Sequence, residues 1–201
     1  MKKLMFAAAL YGIVWFFFIR EAEVTLRPGV FVEEEPRQVM LHDAEPFNHK
    51  GFRITPLARF DIKAKILSKK YYSLGRESDL SPIDLALGWG KMSDESVLQT
   101  IRISQSNRYF HWRVDEFPIP RKEIETHASN MHIIPSDATT EAAIKQSRIG
   151  EIVQFSGYLV KVDTQDGWHW SSSLSRSDTG NGACELVWVE DFRITTTSDM
   201  Q

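Results

Sequence analysis

Cysteine is nearly missing from this chain: Cys184 is the single one in 201 residues. One thiol closes no internal disulfide and builds no cysteine-rich zinc site, so disulfide scaffolds and zinc ribbons are excluded. An excess of positive charge is missing too. Lysine and arginine total 24 against 27 aspartates and glutamates, a formal net charge of −3, and nucleic-acid binding needs cations to displace counterions from phosphates, so no nucleic-acid partner is expected. The sequence shows no repeat and no low-complexity tract. What is there is ordinary globular material, 42% hydrophobic and 25% charged, enough for one folded domain.

Only the N-terminus carries a long apolar run. It reads MKKLMFAAALYGIVWFFFIREAE, with Lys2 and Lys3 ahead of an uncharged stretch that starts at Leu4, stops at Ile19 and is closed by Arg20 and Glu21. Sixteen helical residues at ~1.5 Å each span about 24 Å, which snorkelling lysines and local thinning extend toward a ~30 Å hydrocarbon core. A cleaved signal peptide begins the same way but ends in a small-x-small site; here Trp15, Phe16, Phe17 and Phe18 stand at the end of the run, and no lipid-accepting cysteine follows. An uncleaved signal-anchor is therefore expected over residues 1–20. The two lysines set the N-terminus inside and the bulk of the chain outside, on a membrane crossed once between Leu4 and Ile19.

Residues 21–51 hold the acidic triplet Glu33, Glu34, Glu35 and scattered prolines, with alternation only at Val30 and Val32. They read as a juxtamembrane linker with one short strand. The globular domain is expected over 52–194, with a flexible tail at 195–201. Phe60, Ile62, Ala64 and Ile66 alternate with Asp61, Lys63 and Lys65 as a half-buried strand, and Leu67 breaks the pattern. Ser81 and Pro82 predict a helix start, with a short helix from Ile83 to the stop at Gly88, and Ser93 predicts a second helix through Ile101. RYFHWRV reads as a strand. FPIPRKEIETHASNMHIIP reads as a connection with a short helix and an apolar stop, and Asp137 caps a further helix through Ile144. The last third is strand: EIVQFSGYLVKV and WHWSSSL flank a turn of Thr164, Gln165, Asp166 and Gly167, Gly157 marks a bulge or corner, and CELVWV is apolar on both faces. The fold class expected is α+β, strand-rich: an N-terminal transmembrane helix followed by a small, OB-like, partly open β-barrel with inserted helices. A two-layer α+β sheet fits the same pattern.

The blocks SPIDLALGWGKMSD, HASNMHIIP, GEIVQFSGYLV and SSLSRSDTGNGACELVWVE resemble those of an uncharacterised family of bacterial membrane-anchored envelope proteins, across most of the span from Phe52 to Glu190. The resemblance implies a bacterial source and an envelope location, the membrane then being the inner one and the N-terminus cytoplasmic. It brings no catalytic residue with it.

Chemistry is then argued locally. Trp168 and Trp170 share one side of a strand, with His169 on the other; left open, that side is a stacking platform for a flat ligand, and closed it is core. Glu185 shares a face with Val187 and Val189, where a carboxylate needs a partner, and Arg176 across the loop is the expected one. Arg176, Asp178 and Glu185 join the two tryptophans as binding candidates on a loop freed by Gly180 and Gly182. Cys184 alternates with Leu186 and Trp188, as a core thiol would; the alternative is a nucleophile served by His127, Asn130 and His132. His127 and His132 lie five apart, a spacing that matches no recognised ligand pair, and neither metal nor cofactor is implied. The function expected is non-catalytic: an extracytoplasmic binding or interaction module for an envelope protein or cell-wall ligand. The rival is an envelope hydrolase or metal-dependent enzyme using Cys184 or the histidines.

Overall fold

A computed structural model describes residues 22–175 and 183–195. Ten strands carry it: β1 (Arg37–Met40), β2 (Phe47–His49), β3 (Phe52–Tyr71), β4 (Ile83–Gly88), β5 (Arg102–Ser106), β6 (Tyr109–Arg113), β7 (Ala128–Pro135), β8 (Ile152–Asp163), β9 (His169–Ser171) and β10 (Glu185–Ile194). Helices are short: α1 (Arg76–Leu80), a 3-10 turn (Gly90–Ser93), α2 (Glu95–Leu98), α3 (Arg121–Thr126) and α4 (Ala138–Gln146). The strand-rich α+β expectation holds.

Eight strands form one large mixed sheet, and β5 and β6 form a separate hairpin. The 20-residue β3 is its spine. Its first part pairs with β8 and its last part with β4, both antiparallel; β4 continues antiparallel to β7, β7 runs parallel to β10, and β10 antiparallel to β8. The path begins and ends on the short strands β1 and β9, so edges remain and the sheet is not a closed barrel. Phe60, Ile62, Ile66, Leu85, Leu87, Met131, Ile133, Phe155, Val187 and Val189 meet in the main core, where burial of alternate residues on each strand supplies the stabilisation.

Several local signals act as expected. Leu67 falls at a register shift between Ile66 and Ser68. Gly157 lies beside a second shift, and a Cβ there would meet Trp188 O at 1.8 Å. Asp137 caps α4 by accepting from Thr140 N, and residues 164–167 turn β8 into β9.

Other expectations are corrected. Ile83 to Leu87 is strand, not helix, because Ile83, Leu85 and Leu87 bury on one face while Asp84 and Ala86 bury on the other, and burial on both sides overrides the Ser-Pro helix start. Asp94, not Ser93, caps α2; Ser93 Oγ instead accepts from the backbone N–H groups of Phe31 and Val32. Ile133, Ile134 and Pro135 belong to β7 and are not a stop. The stretch expected as a linker is strapped down: Val24 N donates to Ile149 O, Gly29 N to Asp94 Oδ1, and Val32 is 3% exposed. Its strands β1 and β2 both pair with β3. The candidate anchor between Leu4 and Ile19 lies outside the described residues, and among those described no helix is long and apolar enough to cross a membrane.

Candidate functional site

The paired strands β4 and β7 turn Asp84, Asn130 and His132 to the face opposite the main core, with Asp84 directly across from His132. The β5–β6 hairpin reaches that face by its tip. Asn107 and Arg108 both take positive φ, 50° and 68°, as a two-residue hairpin turn of the I′ class requires, and this delivers the Arg108 guanidinium to Asp84. Arg108 Nη1 donates to Asp84 Oδ1 at 2.8 Å and to Ser81 O at 2.9 Å, and Nη2 donates to Ser78 Oγ at 3.1 Å. A fully buried carboxylate is stable only when paired and hydrogen-bonded in this way. His132 Nδ1 stands 3.0 Å from the same carboxylate oxygen but is not aligned for a hydrogen bond.

Aromatic rings close over these charges. The Arg108 guanidinium lies 4.1 Å from the Tyr72 ring centroid and 5.6 Å from that of Trp170, while Tyr72 OH accepts from Arg108 N. Burial pushes the Tyr72 phenol above its ordinary pKa, the neighbouring Asp84 adding to the rise. The Trp170 ring sits 4.8 Å from His132. Trp168 meets Trp170 edge-on at 6.2 Å and Phe52 at 6.0 Å. The two tryptophans are thus packed, partly buried, against the second core cluster. Beside them Asp166 takes both nitrogens of Arg76, at 2.7 and 3.1 Å, and its carboxyl is held down to about 2, first by the Thr164 hydroxyl and then by Arg76.

Next to the network opens a cleft of about 770 Å³ between β6, α3 and the start of β7. Tyr109, His111, Trp112, Arg113 and Phe117 line it together with Asn130 and Cys184. Asn130 Nδ2 donates to Arg108 O at 3.0 Å and approaches Cys184 Sγ at 3.9 Å, while Gln105 Nε2 donates to Asn130 Oδ1. Cys184 is half-buried ahead of β10 with Sγ 3.8 Å from Arg108 O. The expected core thiol is therefore a cleft residue, because β10 starts one position later.

The structure gathers Asn130, His132 and Cys184 around Arg108 and leaves His127 out. His127 follows α3, its Nδ1 3.0 Å from Glu123 O and its ring packed so close that a Cβ on Gly90 would meet Cδ2 at 2.6 Å. Glu185 is 1% exposed and accepts from Ser129 Oγ. Arg176 and Asp178, and so the expected bridge from Arg176 to Glu185, lie outside the described residues. Among those described, no group of three metal-ligating side chains occurs. Sequence reasoning missed Asp84 and Arg108. The signal for Asp84 was present, a lone carboxylate inside the apolar stretch of β4; the signal for Arg108 was not, since nothing in a turn of Asn107 and Arg108 announces what the side chain will reach.

No family model matches the chain, and no solved structure matches it. A stretch of 121 residues is 25% identical to neutral alpha-glucosidase AB of Sus scrofa, covering 58% of this chain and 13% of that protein. The chain thus spans about an eighth of the length of that curated relative.

Proposed function

We propose that the protein is a membrane-tethered interaction module of the bacterial envelope, with an OB-like, partly open barrel that binds a ligand without transforming it. The charge pattern of the N-terminus and the sequence resemblance support the tether and the compartment. The strand path supports the barrel: from β3 through β4, β7, β10 and β8 it returns to β3, with α4 between β7 and β8. In small barrels of that class the outer face of the second and third strands, flanked by the first and fourth connections, takes the ligand. Here that face is β4 with β7. The β3–β4 connection supplies Tyr72 and Arg76, and the β8–β10 connection supplies Trp168 and Trp170.

The observation that carries the reading is the open cleft beside this face, lined by aromatic rings and guanidinium groups together with Asn130 and Cys184. Binding sites are concave and combine aromatic rings with placed polar groups, as this one does. The partial similarity to a glucosidase does not shift the reading toward glycoside hydrolysis, which uses two carboxylates across the scissile bond. Among the described lining residues Glu125 is the one carboxylate, and it is bridged to Arg121.

One arrangement favours the enzymatic rival: Asn130 stands beside Cys184 and on the same face as the His132 and Asp84 pair. An activated thiolate alkylates well below the ordinary thiol range near pH ~8.5, so the pH dependence of alkylation separates the two readings. Binding itself is tested in cells with a photo-crosslinking amino acid at Phe117, 54% exposed at the cleft, against the same group at Leu74, 89% exposed and outside the cleft lining. A discrete adduct from Phe117 and none from Leu74 is expected. Equal yields from both, or none, would defeat the proposal.

A further inference from the structure

We propose that the cleft receives an extended peptide segment of a partner protein, which joins the hairpin as a third strand along the free edge of β6. The inference rests on the binding reading and names the ligand class for the same site. Among the described residues β6 pairs with β5 and with no other strand. With a two-residue turn at Asn107 and Arg108, Ser106 and Tyr109 form the first hydrogen-bonded pair; alternation then turns the N–H and C=O of Phe110 and of Trp112 away from β5. None of these four groups takes a backbone hydrogen bond among the described residues. Every residue from 109 to 114 lines the cleft, which happens when the edge of a strand, rather than one of its faces, opens on the space. An unpaired edge is a template for another strand.

The cleft of about 770 Å³ adjoins this edge, and Ala128, Ser129 and Asn130 also line it. Residues 128–130 run ahead of Met131, where β10 begins to pair with β7. Charge then selects the peptide. Arg113 and Arg121 are the cations of the described lining against the single carboxylate Glu125, and that carboxylate is engaged by Arg121. Arg102, across the hairpin from Arg113, is taken by Asp115. Arg113 is thus the charge in the cleft that an incoming aspartate or glutamate would answer, while Trp112 and Phe117, edge to face at 6.1 Å, offer an apolar seat beside it. A neutral saccharide would stack on the rings but leave both the strand edge and Arg113 unanswered.

The test selects random phage-displayed peptides on the full chain in detergent micelles and resynthesises the strongest binder with each backbone N–H methylated in turn. Strand addition predicts a shared acidic residue. It also predicts at least tenfold weaker binding when every second N–H is blocked, with the intervening positions tolerant. Arg113→Glu should weaken the same peptide tenfold or more with an unchanged melting curve, and Leu74→Glu should leave binding unchanged. Uniform tolerance of methylation, or indifference to Arg113→Glu, overturns strand addition; an adduct from Phe117 in cells would still uphold the binding reading. N-acetylglucosamine oligomers are assayed in parallel by tryptophan fluorescence, and their binding in the absence of any selected peptide overturns the inference in favour of a sugar. If neither probe binds and Phe117 gives no adduct, both readings fall.

Discussion

The two faces of the β4–β7 pair are equally buried and opposite in character. Toward the core stand Leu85, Leu87, Met131 and Ile133, all at 0% exposure; away from it stand Asp84, also at 0%, with Asn130 and His132 at 3% and 4%. The inner face is held by apolar area removed from water, which is non-directional and tolerant of changes that conserve volume. The outer face is organised by the Arg108 guanidinium delivered by a hairpin tip, with Asn130 Nδ2 donating to the other oxygen of Asp84, and among the described residues no second guanidinium reaches that carboxylate. Burial alone therefore does not separate scaffold from site in this protein. What separates them is whether the partner of each buried group could be exchanged.

The largest expected effect breaks the outer face. Asp84→Ala leaves Arg108 and His132 without their carboxylate and should cost about 3–5 kcal/mol in denaturant unfolding, while the double change Asp84→Leu with Arg108→Leu should recover part of the loss. Equal losses in the single and double variants would show that the pair does not act as a unit. On the inner face Ile133→Val should cost only about 0.5–1.5 kcal/mol and leave binding at the cleft unchanged. A loss as large as that of Asp84→Ala would erase the contrast between the faces.

A smaller effect lies at the exposed rim. Asp166 has its folded pKa depressed to about 2, so the folded state holds its proton less tightly than the unfolded state, whose aspartates titrate near ~3.9. Its contribution is fully present above about pH 4 and disappears as the pH falls through about 2. The stability difference between the natural protein and Asp166→Asn should therefore be flat above that range and shrink within it. A difference that instead grows on acidification would contradict the Thr164 and Arg76 contacts.

These contrasts also explain what the sequence disclosed. Features set by neighbours in the chain were legible: the Asp137 cap, the turn at 164–167, the close approach at Gly157 and the broken alternation at Leu67 all follow from one residue's own geometry. Features set across the fold were not. The Ser81 and Pro82 pair looks like a helix start until both faces of the following residues are buried by strands remote in sequence. Residues 22–51 lack the alternation of a strand, yet Ser93 and Asp94 fasten them through backbone N–H groups that no pattern reveals. At the site, Asn130, His132 and Cys184 could be named in advance as polar residues near one another, but their organiser, Arg108, could not. For Cys184 the strand pattern extends one residue too far: the thiol stands half-buried just ahead of β10, among the residues that line the cleft.

Cys184 gives the most direct test of whether the cleft beside this face is an open binding site and not closed core or the seat of a catalytic thiol. The measurement is its alkylation by iodoacetamide in the natively folded full chain, from pH 6 to pH 10 (about two and a half units below the ordinary thiol value of ~8.5 to one and a half above it), with unfolded protein as the reference. The account predicts native labelling within about tenfold of the unfolded rate, rising with pH as an ordinary thiol does, and slowed when the selected peptide is bound. Labelling that appears only on unfolding, or that is already maximal at pH 6, would contradict it.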